Sequence, residues 1–341
     1  MKLADCVAQL RRPFIVEDAT DKRLTYLSNA ADYADVVSKC PLRYVLSDDL
    51  TRLCADLAYS KGAQTVSCVD LLRVPGETLW IEWCNTPWRQ ALERYGFPLV
   101  DDACQWIGRR GAFIRASRDG RRGLIRTFWN VTNDQDALAS AMEACFDFDT
   151  PEDESPQFVE PGSTRLGRVQ DKARSDDILG RCFRFRYEAS WANYYDRASL
   201  SSTESAAIWQ NTLGTIAMDV PMLLAFLLLM ATRTGLPQRT QSYERLNRQR
   251  LVTGKPALLD HIELSAPLLP EYRASASSDS NDWRRRPRLH YVRGHLVRRG
   301  SQIFWRVPHL RGRARSGTVQ SRTVIWTFDD KSTHSHDVGS C

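Results

Sequence analysis

Lysine is scarce in this chain: 7 of the 47 basic residues are lysine and the other 40 are arginine. A GC-rich genome produces such a bias on its own, yet it leaves a chain whose cationic contacts can be bidentate, which a lysine ammonium cannot provide. Cysteines at metal or redox spacing are also missing. Nine cysteines stand at 6, 40, 54, 68, 84, 104, 145, 182 and 341, an odd number without a C-x-x-C pair. That excludes a zinc ribbon or dithiol motif and predicts small, buried, reduced thiols, as in a cytoplasmic protein.

No apolar run is long enough to cross a bilayer. The strongest, Val220 to Ala231, is about half the required length and is led by Asp219 and Pro221, so a buried helix and no membrane contact are expected. The N-terminus, Met1-Lys-Leu-Ala-Asp-Cys, lacks a signal-peptide core, which predicts a location in the cytoplasm of the host cell. Gly254-Lys255-Pro256 lacks the upstream glycine and the following Ser/Thr of a phosphate loop and reads as a turn. No repeat period is evident, and nothing in the chain calls for a cofactor.

The most informative absence is of acidic residues and lysine between Trp283 and Phe328, where twelve arginines stand at 284, 285, 286, 288, 293, 298, 299, 306, 311, 313, 315 and 322. The net charge of the whole chain is +6, so the remainder sums to about −6 (6 − 12). Positive charge is therefore gathered in one segment, as on a polyanion-binding surface.

Hydrophobic residues at 43% and aromatics at 10% indicate that most of the 341 residues fold. The expected class is α+β: helical regions with a small antiparallel sheet and a C-terminal β-hairpin module. The expected divisions are an α+β region 1–149, an acidic, Pro-rich linker 150–164, a helical core 165–265, a polar spacer 266–283, an Arg/His-rich β module 284–330 and a disordered tail 331–341. Ser28 and Ser47 are candidate helix caps, and Ser201-x-x-Glu204 is a candidate capping box. Strands are expected at Thr78–Cys84, at 105–117 and at 123–130, with Asp119-Gly120 as a turn. Helices are expected over residues 1 to about 70, over Ala137–Cys145 and through 176–250, with the apolar helix opening at Asp219 and Pro221. Leu258–Leu264 returns as a strand. The apolar run Met222 to Met230 reads as core, with a homo-oligomer interface as the second reading. Glu82, between Trp80 and Trp83, is expected to pair with one of Arg109, Arg110 and Arg115, with a catalytic role as the rival reading.

Inside the basic segment lies a patterned hairpin, His290-Tyr-Val-Arg-Gly-His295 and Trp305-Arg-Val-Pro-His309-Leu-Arg-Gly312. A two-residue turn at Arg299-Gly300 pairs residues whose numbers sum to 599. Leu296 then faces Ile303, Gly294 faces Trp305, Val292 faces Val307 and His290 faces His309, all on one side. Arg293, His295, Arg306, Tyr291 and Phe304 occupy the other side. Arg311 to Gly317 reads as a loop, and Arg322 to Phe328 as a third strand. Three readings of His290 and His309 stand: a structural cross-strand pair, phosphate contact, and metal or acid–base chemistry. The last needs a carboxylate from outside the segment, with Asp260, Glu263 and Glu82 as candidates.

Arginines beside aromatics suit nucleic acid, with guanidinium on phosphate and rings on bases. The candidate contacts are Arg293, His295, Arg306, Arg311, Arg313, Arg315 and Tyr291. A protein partner is the rival, and the acidic stretch Asp147 to Glu160 offers an internal one. The leading expectation is a non-enzymatic nucleic-acid-binding accessory protein. The alternatives are a metal-dependent nuclease or phosphoesterase centred on His290 and His309, and an inhibitor or decoy that grips an acidic host protein.

The run Arg288-Leu-His-Tyr-Val-Arg-Gly-His295, then Trp305-Arg-Val-Pro-His309-Leu-Arg-Gly312 and Gly317-Thr-Val, resembles a family of uncharacterised phage and prophage proteins. Leu246-Asn-Arg-x-Arg-x-x-x-x-Gly254-Lys-Pro256, and Trp80-Ile-Glu-Trp83 behind Arg73-Val-Pro75, are similar to it more loosely. The resemblance implies a mobile-element setting near nucleic acid or host defence machinery, and no particular reaction.

Overall fold

The computed structural model describes residues 2–12, 14–17, 24–59, 68–96, 107–131, 137–149, 182–197, 201–233, 235–267, 288–292, 294–306, 309–311 and 313–318. The expected linker 150–164, tail 331–341 and third strand Arg322 to Phe328 lie outside these residues, as does most of the spacer 266–283.

Described in chain order, the elements are α1 (Leu3–Gln9), β1 (Phe14–Glu17), β2 (Leu24–Leu27), a 3-10 turn (Ala30–Tyr33), α2 (Ala34–Lys39), β3 (Leu42–Leu46), α3 (Asp48–Tyr59), a 3-10 turn (Val69–Leu71), β4 (Thr78–Cys84), α4 (Asn85–Arg94), β5 (Ile107–Ala116), β6 (Arg122–Val131), β7 (Ala137–Asp147), β8 (Phe183–Tyr187), α5 (Ala189–Arg197), α6 (Ser202–Met230), β9 (Gln238–Gln241), α7 (Glu244–Val252), β10 (His261–Leu264), β11 (Arg288–Val292), β12 (His295–Arg299), β13 (Gln302–Arg306), β14 (His309–Arg311) and β15 (Arg313–Thr318). The class is α+β. The chain divides into two units. The first is 1–267 with Leu296–Trp305, and the second includes β11, β14 and β15.

The first unit is built on an eight-stranded sheet of order β8-β7-β6-β5-β4-β3-β10-β9. It is larger than the small antiparallel sheet expected, and it is mixed: β3 runs parallel to β4 and β10, while β4 through β8 form an antiparallel meander. The expected regions 1–149 and 165–265 therefore share one sheet. Strand β4 sits near its centre because Leu79, Trp80, Ile81, Glu82 and Trp83 are all buried, so both its faces are covered.

Period-2 alternation sorts the layers. Trp80, Phe113 and Phe128 point to one face, where they pack with Leu3, Ala4 and Val7 of α1, Ala30 and Val37. Gly111 lies beneath them, and a Cβ there would come within 2.9 Å of the Trp80 ring and 3.1 Å of Leu3. The opposite face meets α6, whose residues from Met222 to Leu229 are buried.

Three helical readings are overturned in part or whole. Within residues 1 to about 70, Phe14–Glu17, Leu24–Leu27 and Leu42–Leu46 are strands between the helices. Ala137–Asp147 is strand β7, paired with β6 on one side and β8 on the other. Its alanines favour a helix locally, but a ladder on both edges overrides that preference. Phe183–Tyr187, inside the span read as helical, is strand β8; its Phe, Phe and Tyr are buried and its arginines half-buried. Helix α6 begins at the Ser201/Glu204 capping box and runs 29 residues through Pro221, so Asp219 and Pro221 lie inside it rather than at its start. By length and composition α6 could cross a membrane, yet 67% of its most apolar stretch is buried within the protein. Asn29 caps the turn at Ala30–Tyr33 through the Ala31 N–H, while Ser28 is buried and holds Arg126. Ser47 does cap α3, accepting from the Leu50 N–H at 3.2 Å.

Arg109, Arg110 and Arg126 of the sheet each have a carboxylate beside them. Arg109 Nε donates to Glu82 at 2.9 Å, and Glu82 also accepts from the Ala4 N–H and the Trp80 indole. Arg126 reaches the Ser140 carbonyl, Ser28, Tyr33 and, at 3.9 Å, Glu143. Arg110, stacked on Trp88, donates to Asn85 and to both oxygens of Asp219 on α6.

Burial pushes the Asp219 carboxyl up from 3.8 to about 6, against the opposing pull of Arg110. A folded-state pKa above the unfolded one means that the native state holds the proton more tightly. The contribution is therefore full below about 3.8 and is lost as pH rises through about 6. Arg110→Met removes the opposing pull and extends that loss upward. The variant is expected to be destabilised by about 3–5 kcal/mol at neutral pH. In urea denaturation its deficit against wild type should grow as pH rises through about 6. A deficit independent of pH would show that Asp219 does not titrate in this window.

Candidate nucleic-acid interface

The described residues of the basic segment form strands, divided between the two units. Hairpin β12/β13 turns at Gly300, whose φ of 59° is the left-handed conformation that favours glycine. Along β13, Ile303 and Trp305 are buried, Phe304 is half-buried, and Gln302 and Arg306 are exposed. This is the alternation expected of the sequence, with Arg306 and Phe304 outward. Arg299 lies 5.9 Å from the Phe304 ring centroid. His295 is half-buried at the start of β12.

Leu296–Trp305 of the hairpin belongs to the first unit, while His295 and Arg306 at its ends fall in the second. The Ile303 carbonyl accepts from the Arg233 N–H at 3.1 Å, and Arg298 forms a two-pronged pair with Asp70 at 2.9 and 2.6 Å. Arg298 is thus one arginine of the block with an internal partner, which nothing in the spacing of Asp70, 228 residues away, foretells.

The second unit holds a three-stranded sheet of order β14-β11-β15. Its antiparallel pairs are His290 with Arg311, Tyr291 with Leu310, and Val292 with His309. These sum to 601, so the expected register is corrected by two residues: His290 lies opposite Arg311, and His309 opposite Val292. The single long hairpin is replaced by two separate pairings, β12 with β13 and β11 with β14. The expected loop from Arg311 to Gly317 is also corrected, because it forms β14 and β15. Strand β15 pairs parallel to β11, with Arg313 beside Arg288 and Thr318 beside Leu289 across an irregularity.

The backbone therefore sets Arg288, His290 and Tyr291 on the central strand and Arg311, Arg313 and Arg315 on the strands that flank it. Arg293 lies outside the described residues. His290 and His309 fall on neighbouring strands, two register positions apart with the Tyr291/Leu310 pair between them. Among the described residues no group of three or more His, Cys, Asp or Glu could hold a metal. The carboxylates considered for such a site have structural partners in the first unit. Glu82 is bound as described, Asp260 accepts from the Tyr243 N–H and Ser242, and Glu263 lies 3.7 Å from His261.

Comparison with known protein families, with curated proteins and with solved structures finds no match to this chain.

Two substitutions separate the forces that hold the hairpin. Trp305→Ala, which empties a buried indole site, should cost about 3–5 kcal/mol. Arg298→Ala, which removes a solvent-exposed pair, should cost at most about 1 kcal/mol. Chemical denaturation of both variants measures the order, and a reversal would mean that the ion pair, not the apolar face, docks the hairpin.

Proposed function

We propose that this protein is a non-enzymatic nucleic-acid-binding accessory protein of a phage or mobile element, acting in the host cytoplasm. The observation that carries the reading is the block of twelve arginines without an acid between Trp283 and Phe328. In solution such a block repels itself, and a polyanion relieves the repulsion. Arg288, Arg311, Arg313 and Arg315 stand on three neighbouring strands. Neighbouring strands lie about 4.8 Å apart, so the backbone brings these four positions within the span of one phosphate chain. Arg293, Arg306, Arg311, Arg313 and Arg315 are assigned to phosphates. Tyr291 and His295 are assigned to bases or sugars.

The test is fluorescence anisotropy of the full chain with labelled single-stranded DNA, duplex DNA and RNA across a salt series. Affinity should fall steeply with salt, with a log–log slope of about −0.9 per duplex phosphate neutralised. Arg311→Glu/Arg313→Glu should abolish binding at low salt. Salt-independent affinity, or no binding by the wild type, would overturn the reading. His309→Ala should remain folded and keep its affinity. A metal-dependent hydrolytic activity that this variant loses would instead favour the phosphoesterase.

A further inference from the structure

Burial does not explain the existence of helix α7. None of its nine residues is buried, although so short a helix is marginal in water unless tertiary packing holds it. Polar contacts hold it instead. Asp260 accepts from the Tyr243 N–H at 2.6 Å and from Ser242 at 3.2 Å, fixing the entry to the helix. Asn247 donates to the Leu258 carbonyl and accepts from the Leu258 N–H, both at 2.8 Å. Arg250 Nε donates to the Pro256 carbonyl, and its own carbonyl accepts from the Lys255 N–H, across a return that passes through Gly254 at φ 67°. The helix and its return segment thus brace each other between β9 and β10, at the edge of the sheet.

Helical spacing fixes what this arrangement presents. Asn247 and Arg250, three apart, face the return segment. The opposite arc carries Arg245, Arg248, Gln249 and Val252, which are three or four apart and all exposed. The exposed apolar residues Leu246, Leu251 and Val252 fall on different sides of the helix. They form no stripe that would lie on a membrane or in an apolar groove. From 233 to 259 there are six basic residues and one acid, Glu244. That acid pairs with Arg248 at 3.7 Å in full exposure, an interaction that a stronger anion readily displaces.

We propose that α7 is a second nucleic-acid contact of this protein, one that enters the major groove of duplex DNA with Arg245, Arg248 and Gln249. The proposal rests on the nucleic-acid reading given above but names a different surface. The B-form major groove admits a helix, and there arginine pairs with guanine and glutamine with adenine. The narrow major groove of an RNA duplex admits neither. The guanidinium composition favours phosphate and base edges over a generic acidic face.

The experiment is anisotropy of the full chain with a DNA duplex, one strand of that duplex and an RNA duplex across a salt series. Polyglutamate serves as the acidic-protein probe. Wild type, R245A/R248A and R311E/R313E are compared. R245A/R248A should keep its circular dichroism and urea midpoint, because neither side chain is buried. Its affinity for duplex DNA should fall about tenfold or more, with the salt slope shallower by about 2, and single-strand and RNA binding should change less. Unchanged duplex affinity would overturn the proposal. So would equal losses on all three nucleic acids, which would leave only a charged face. Retained DNA affinity with lost polyglutamate binding would replace DNA by an acidic protein. If R311E/R313E abolishes binding while R245A/R248A does not, this proposal falls alone. If wild type binds none of the nucleic acids, both readings fall.

Discussion

Burying a guanidinium strips it of water, and the cost is several kcal/mol unless a carboxylate and further hydrogen bonds replace what was lost. This sheet buries Arg110 and Arg126 and half-buries Arg109, so the placement of the surrounding elements is constrained by their partners. Glu82 must lie beneath α1 to serve Arg109 and the Ala4 N–H together. Asp219 must come from the middle of α6, which sets where that helix crosses the sheet. Ser28, Tyr33 and Glu143 converge on Arg126, which ties the segment before α2 to β7. These pairs contribute little net stability. Their effect is to make misplacement expensive, since a shifted helix would leave a charge buried alone.

The same side chain has the opposite circumstances in the C-terminal strands. In the body each buried arginine has an acid; in the basic segment the acid is missing from the sequence itself. Arg298 shows what happens when one is supplied: it pairs with Asp70 and helps hold β12/β13 to the body. The arginines of β14 and β15 have no acid within their own segment, and the hairpin's apolar side, Ile303 and Trp305, is already committed to packing. On the first unit, α7 repeats the theme with a shorter charge run on a helix braced by its own return segment.

The parts of the fold legible in the sequence are those where local and tertiary preferences agree. Thr78–Cys84 reads as a strand because tryptophan and isoleucine suit a covered pleat, and the structure covers both its faces. The Ser201/Glu204 box, the Asp119-Gly120 turn and the Glu82–Arg109 pair are legible for the same reason: each is set by neighbours or by an unavoidable charge. Ala137–Asp147 is not, because Leu-Ala-Ser-Ala-Met-Glu-Ala carries helix formers and only the flanking strands make it extended. Pro221 misleads because a proline that usually opens a helix here sits within one, where a tightly packed apolar helix tolerates the missing N–H. In the candidate interface the alternation along β13 is legible from Ile303, Phe304 and Trp305. The register of β11 with β14 is not, because alternation along one strand does not show that these two strands pair separately from β12 and β13.

The free thiols have a consequence of another kind. Cys6 and Cys40 lie under the α1–α2 layer, Cys54 is enclosed in α3, and Cys182 precedes β8, all buried and none in a disulfide. Burial also pushes the Cys6 thiol up to about 11, so a thiolate-seeking reagent finds almost nothing to attack while that layer is closed. Each layer thus carries its own chemical reporter. The order in which these sulfurs become alkylated would record which part of the protein opens first, and at what free energy, without any added label.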